Sequence, residues 1–404
     1  MVSTPAARST LPAVRTVVSL VLGRGGFRIA YHGIGLVLLA WWGAEVFAIY
    51  ASAVGATAWL ALLSSGPEKA VLKLVPRLPR TGGVVARTAV LTSALPLAVA
   101  LVLVLVLATA GSVVVVYPLA AAWSAALGLL TVLVAVHRAS GRPMHDSRGF
   151  LLLAVLLPVA VLAGVSGGLS PGGQLALLAA VTLGVALWSA RGAVPIGALL
   201  ARPRRGATTA IVRAELLLGL YEPLGSAAVG VLYAVLALSG QREASTTLYL
   251  ALLMSSVVGS LTLYLLRIYQ PVSSLRLRGT GARAGVDIAR RLLIVGLGAG
   301  VFGCALVGAV AGQLSAAALI VLLLCFEIPI HAVVSLALFL LENAGRQQLT
   351  IAAASAATQF VAVAVLAALL VPAHGPPAAL WVLVASYAVL AATTLPRLRS
   401  EQGS

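Results

Sequence analysis

The chain has 404 residues, 61% of them hydrophobic and only 9% charged, with a formal net charge of +17 from 27 Lys+Arg against 10 Asp+Glu. A soluble domain carries about 25% charged residues, so this composition excludes a water-wetted globule and leaves lipid as the solvent for the apolar surface. A basic excess would suggest nucleic acid in a soluble protein. Here the placement of the charges accounts for it, and no nucleic-acid partner is predicted.

Helices satisfy their own backbone polar groups in lipid, and roughly 20 apolar residues cross about 30 Å of hydrocarbon. Leu, Ala, Val and Gly dominate, without strand-like alternation. The apolar runs predict an all-α integral membrane protein with about twelve transmembrane helices. In chain order these lie at 17–42, 46–66, 84–110, 113–136, 149–167, 173–200, 213–238, 246–268, 284–311, 315–341, 348–371 and 377–395. Arg8 and Arg15 precede the first run, and the stretch Val17 to Leu22 is too short for a signal-peptide core. The N-terminal segment therefore reads as a cytoplasmic lead into span one. Cys304 and Cys325 lie inside apolar runs and imply no disulfide.

Short loops rich in Arg and Lys face the cytoplasm. Basic residues gather after spans two (Lys69, Lys73, Arg77, Arg80, Arg87), four (Arg138, Arg142, Arg148), six (Arg191, Arg202, Arg204, Arg205, Arg213) and eight (Arg267, Arg276, Arg278, Arg283, Arg290, Arg291). Arg346 follows span ten, and Arg397 and Arg399 lie near the end of the sequence. The intervening loops hold Arg242 alone. This alternation predicts a multi-pass protein of the cytoplasmic membrane with both termini inside.

Ionisable groups within spans are costly and are functional candidates by default. Trp41 and Trp42 mark an outer aromatic belt, which puts Arg24 and Arg28 in the inner half of the membrane. Arg24, Arg28 and His32 recur every four residues and share a helix face. Such a stripe suits a phosphate group, which Arg grips bidentately. Snorkelling to the headgroups is the alternative. In span seven, Glu215 and Glu222 are seven apart and Pro223 loosens the helix; Glu222 serves either in ion coupling or in a structural ion pair. In span ten, Glu327 and His331 are four apart near the middle of the apolar run. They serve either proton coupling or a buried hydrogen bond to a neighbouring helix.

Phosphate-binding loops, H-E-x-x-H, C-x-x-C and G-x-S-x-G are all absent. The sequence predicts no enzyme, no cofactor and no metal site, and ATP-driven pumping within this chain is not expected.

The stretch Trp42-Gly43-Ala44-Glu45-Val46-Phe47-Ala48-Ile49-Tyr50, followed by Ser65-Gly66-Pro67-Glu68-Lys69-Ala70 and Leu74-Val75-Pro76-Arg77, resembles polysaccharide (O-antigen type) flippases. These belong to the multidrug/oligosaccharidyl-lipid/polysaccharide (MOP) exporter superfamily. Trp42 and Ala48 stand where Leu and Gly are more usual. Ile268-Tyr269-Gln270-Pro271-Val272-Ser273-Ser274-Leu275, Glu342-Asn343-Ala344-Gly345-Arg346 and the Pro372 to Ala379 link are similar to the family's segments at those points. The resemblance implies a MATE-like architecture: two six-helix lobes, 1–200 and 201–404, around a central cavity. It further implies Arg24 and Arg28 as diphosphate ligands, with Arg267 as a third candidate.

The leading expectation is a flippase that moves a polyprenyl-diphosphate-linked oligosaccharide across the membrane by alternating access. Its partners would be the lipid-linked glycan, membrane lipids, and a glycan polymerase or glycosyltransferase. An ion-coupled multidrug or metabolite antiporter of the same superfamily is the second reading. A scaffold or transferase of a polymer-synthesis complex is the third.

Overall fold

The computed structural model describes residues 14–78, 81–111, 113–193, 205–239, 248, 252, 266, 323–324, 327, 330–340 and 346–400. Among these no strand occurs. Spans eight and nine, and with them Arg267, lie almost wholly outside the described residues.

Helix α1 (Val14–Thr57) covers span one and the start of span two. It is broken at Gly43, whose φ of 73° and ψ of 172° lie where an L side chain is strained. Span two then continues through α2 (Trp59–Leu63) into α3 (Ser65–Arg77). This differs from the sequence reading, which ends span two at Gly66 and puts Lys69 and Lys73 in a loop. Both lysines are buried in α3, at 5% and 3% exposure. Pro67 and Glu68 in its first turn are residues that suit a helix start.

Helices α4 (Gly82–Thr109), α5 (Val116–Ala139), α6 (Met144–Ser166) and α7 (Pro171–Ala190) correspond to spans three to six. Ser170 caps α7 by accepting from Gly173 N at 3.3 Å. Span seven is two helices, α8 (Arg205–Gly219) and α9 (Tyr221–Leu238), meeting at 42°. The bend falls before Pro223, because proline is tolerated in a first helical turn, where its missing N–H has no partner anyway. Farther on come α10 (Ile330–Leu340) and α11 (Arg346–Ser400). The latter is split at Gly375 (φ 64°) into the stretches for spans eleven and twelve.

Six described helices are long and apolar enough to cross a membrane, and a seventh if α8 and α9 form one span. Leu95, Leu105 and Leu162 are each more than 60% exposed. A surface of this kind is wetted by lipid, and the chain is a membrane protein.

The chain divides into two compact units, with the division at Pro223. In the first unit α5 is the central helix: 83% of its apolar stretch is buried, against 17% for α4. Trp123, Leu130, Phe150, Leu157, Leu175 and Leu178 form its core. The Trp123 indole N–H donates to Thr182 Oγ1 at 3.1 Å, so its burial leaves no donor unmet. In the second unit Leu232, Leu236, Leu323, Val363, Leu380 and Leu383 pack together.

Candidate functional site

Four charged residues of the first unit assemble where the basic loops begin. Arg138 lies in the last turn of α5 and Asp146 in the first turn of α6, each at the helix end whose dipole favours its charge. Arg24 reaches them from α1 and Glu68 from α3. Arg24 Nε and Nη2 donate to Asp146 Oδ1 and Oδ2 at 3.0 and 3.2 Å. Arg138 Nη1 stands 3.2 Å from Asp146 Oδ2. Arg138 Nη2 and Arg24 Nη2 stand 3.4 and 3.6 Å from Glu68 Oε1.

The four side chains close a ring of alternating charge with no net charge. Glu68 and Asp146 are both 0% exposed. Burial of these acids is tolerable because each charge has two opposite neighbours. The Arg24 guanidinium also lies over the Phe150 ring, 3.9 Å from its centroid.

Sequence reasoning predicted neither Glu68, Arg138 nor Asp146 as a site residue. All three fell in segments read as loop or loop edge, because α3 runs on past Gly66 and α6 begins five residues before the predicted 149. The signal that was available is the acid in the first turn of each helix.

The predicted α1 stripe divides. Arg24 turns into the charge ring, with 13% of its side chain exposed. Arg28, one turn on, is exposed on the surface of the unit. His32 is half-buried against Tyr31, and its Nε2 is buried with no hydrogen-bond partner among the described residues. Gly25 is on the same side of α1 as Arg28, and a Cβ built there meets nothing within 4 Å among the described residues.

Glu215 and Glu222 do not share a helix face, because the break at Leu220 puts them on different helices. Glu215, on α8, is 3% exposed and accepts from Thr92 Oγ1 of α4 at 2.9 Å. Its other oxygen, Oε1, is buried without a hydrogen-bond partner among the described residues. Glu222, in the first turn of α9, stands 3.4 Å from Lys69 Nζ. In the second unit Glu327 is 2% exposed and its Oε1 lies 3.8 Å from His331 Nδ1. His331 stacks on Tyr387 with centroids 4.8 Å apart. No group of three or more potential metal ligands is found among the described residues.

No protein-family model matches the sequence, and no curated protein matches it. Solved structures do. A MATE crystal structure in complex with MaD3S aligns with a TM-score of 0.69 at 14% identity, covering 96% of this chain and 95% of that one. An outward-facing multidrug resistance MATE family transporter of the MOP superfamily aligns with a TM-score of 0.68 at 14% identity, over 99% and 98%. A MOP superfamily transporter from Pyrococcus furiosus, for which reverse polarity of the binding pocket suggests a different function, aligns with a TM-score of 0.68 at 13% identity, over 99% and 98%. Agreement over nearly the full length of both chains, together with the apolar helices, gives this membrane protein a MATE-type fold.

Proposed function

We propose that the chain is an alternating-access transporter of the cytoplasmic membrane whose substrate is a polyprenyl-diphosphate-linked oligosaccharide. The observation that supports the substrate class is Arg28, a guanidinium exposed on α1, at a position that the sequence puts in the inner half of the membrane. Beside it are His32, whose buried Nε2 has no hydrogen-bond partner among the described residues, and Gly25, against which no described residue packs. A guanidinium donates two parallel hydrogen bonds to phosphate oxygens, and a protonated or Nε2–H imidazole adds a third. In this reading Arg28 and His32 take the diphosphate directly. Arg24, held by Asp146 and Glu68, keeps α1 in register beneath them. Arg267 remains a further candidate on the same chemistry. The lipid tail stays in the bilayer while the head group crosses, with both termini cytoplasmic.

The test is binding of a polyprenyl diphosphate to the purified protein. Arg28→Ala should weaken it roughly tenfold or more, the scale of one charge-assisted hydrogen bond. Equal affinity for the two proteins would remove the diphosphate reading.

A second reading, an ion-coupled antiporter of drugs or metabolites, is favoured by Glu215. Its carboxyl is buried with one oxygen unpartnered among the described residues, and that oxygen is a place for a proton or small cation. The MATE-type neighbours include a multidrug resistance transporter. Drug efflux on overexpression, lost in Glu215→Gln, would select this reading over the first.

A further inference from the structure

The break in span seven is held by a third element. The last carbonyls of a helix have no partner within it. At the end of α8 two of them are met from α3: Lys69 Nζ donates to Leu218 O at 3.1 Å, and Ser65 Oγ to Gly219 O at 3.5 Å. The same ammonium stands 3.4 Å from Glu222 Oε1, on the far side of the break. One cation thus caps the negative end of α8 and pairs with the acid that opens α9.

The contact is close. A Cβ on Gly219 would lie 2.8 Å from Gly66 Cα, so glycine at both positions lets the two backbones touch. A second tie, Thr92 to Glu215, joins α8 to α4. Lys69 and Lys73 are the only lysines among the 27 basic residues, and both lie buried on α3. Lysine suits the place, because its compact head offers rotatable donors to a carbonyl and a carboxylate at once.

We propose that α3 is the splint of the broken span and that Lys69 is its latch. Docking of α8 on α3 and α4 defines one state of the transport cycle, and release of Lys69 from Leu218 O and Glu222 is the step that lets span seven move. Lys69 and Thr92 are then positioning residues rather than substrate ligands. The proposal rests on the transporter reading above. Its physical content is a contact with two discrete arrangements, made or parted.

The test places a reporter under the contact: Ser65→Cys in a chain with Cys304 and Cys325 replaced by Ser. Ser65 is 3% exposed. Its reaction with a polar maleimide is followed in open membrane fragments, where both faces are reachable and no substrate is needed. Lys69→Met and Thr92→Val should each raise the labelling rate roughly tenfold, within the usual range of a coupling free energy. Each should also change the rate at which the chain flips a labelled lipid-linked sugar. Thr92→Val leaves the ion pair intact, so it decides the matter alone if Lys69→Met fails to fold.

Labelling within twofold of the parent in folded variants overturns the latch. Raised labelling with unchanged flipping overturns it as well, reducing the contact to packing. A parent protein that flips no lipid-linked sugar counts against the lipid-linked diphosphate as substrate, while the labelling rates still report separately on the contact.

Discussion

Arg24 and Asp146, 122 residues apart in the chain, meet through two parallel hydrogen bonds of 3.0 and 3.2 Å. This pair ties α1 to α6, and Glu68 and Arg138 extend the tie to α3 and α5. Four helices of the first unit are thereby joined at one end by charge rather than by apolar packing.

Removing one member strands the others. Asp146→Asn leaves Arg24 and Arg138 each short of a buried counter-charge, which destabilises by about 3–5 kcal/mol. The double variant Arg24→Leu/Asp146→Leu removes both charges and leaves Glu68 paired with Arg138. It should therefore melt above the Asp146→Asn single variant. Thermal unfolding of the purified proteins in detergent checks the order.

The glycine contact makes a prediction with a built-in control. Gly219→Ala forces a methyl group against Gly66 Cα and should destabilise by about 1–3 kcal/mol, the usual range for overpacking. Gly25→Ala meets nothing within 4 Å among the described residues and should leave the melting temperature unchanged or slightly raised, since alanine favours helix. The two melting temperatures, measured side by side, test the geometry of α3 on α8.

Much of this architecture was legible in the sequence because hydrophobic length is a local signal. Helices α4, α5 and α6 begin and end within five residues of their predicted spans, α7 ends at Ala190 rather than at the predicted 200, and Gly43 and Gly375 break their helices inside the predicted turns. The site was less legible, because a salt bridge is a tertiary fact. Helical spacing put Arg24, Arg28 and His32 on one face. It carried no information that Asp146 and Glu68 would claim the first of them.

The spacing of Glu215 and Glu222 misled for a related reason. Seven residues mean one face only while the helix is continuous, and the capping at Leu218 and Gly219 comes from a distant segment. Lys69 was hidden by a sound rule applied to the wrong residue: basic residues beside an apolar run are usually loop charges. Here the helix continued and buried them.

In the second unit the prediction concerns coupling. If Glu327 and His331 carry protons, Glu327→Gln should abolish any dependence of transport on an imposed pH gradient while leaving substrate binding within about twofold, because a neutral amide cannot exchange a proton at that site. Transport that still follows the gradient in Glu327→Gln would place the coupling elsewhere.

As proposed above, the chain moves a lipid-linked diphosphate and Arg28 grips it. The direct measurement is the flipping rate of a fluorescent polyprenyl-diphosphate-linked sugar in proteoliposomes holding the parent, Arg28→Lys, Arg28→Ala, or no protein. The parent should accelerate flipping, Arg28→Lys should keep a partial rate, and Arg28→Ala should lose roughly tenfold or more, since lysine keeps the charge without the bidentate fork. Equal rates for parent and Arg28→Ala, or a parent no faster than empty vesicles, would contradict it.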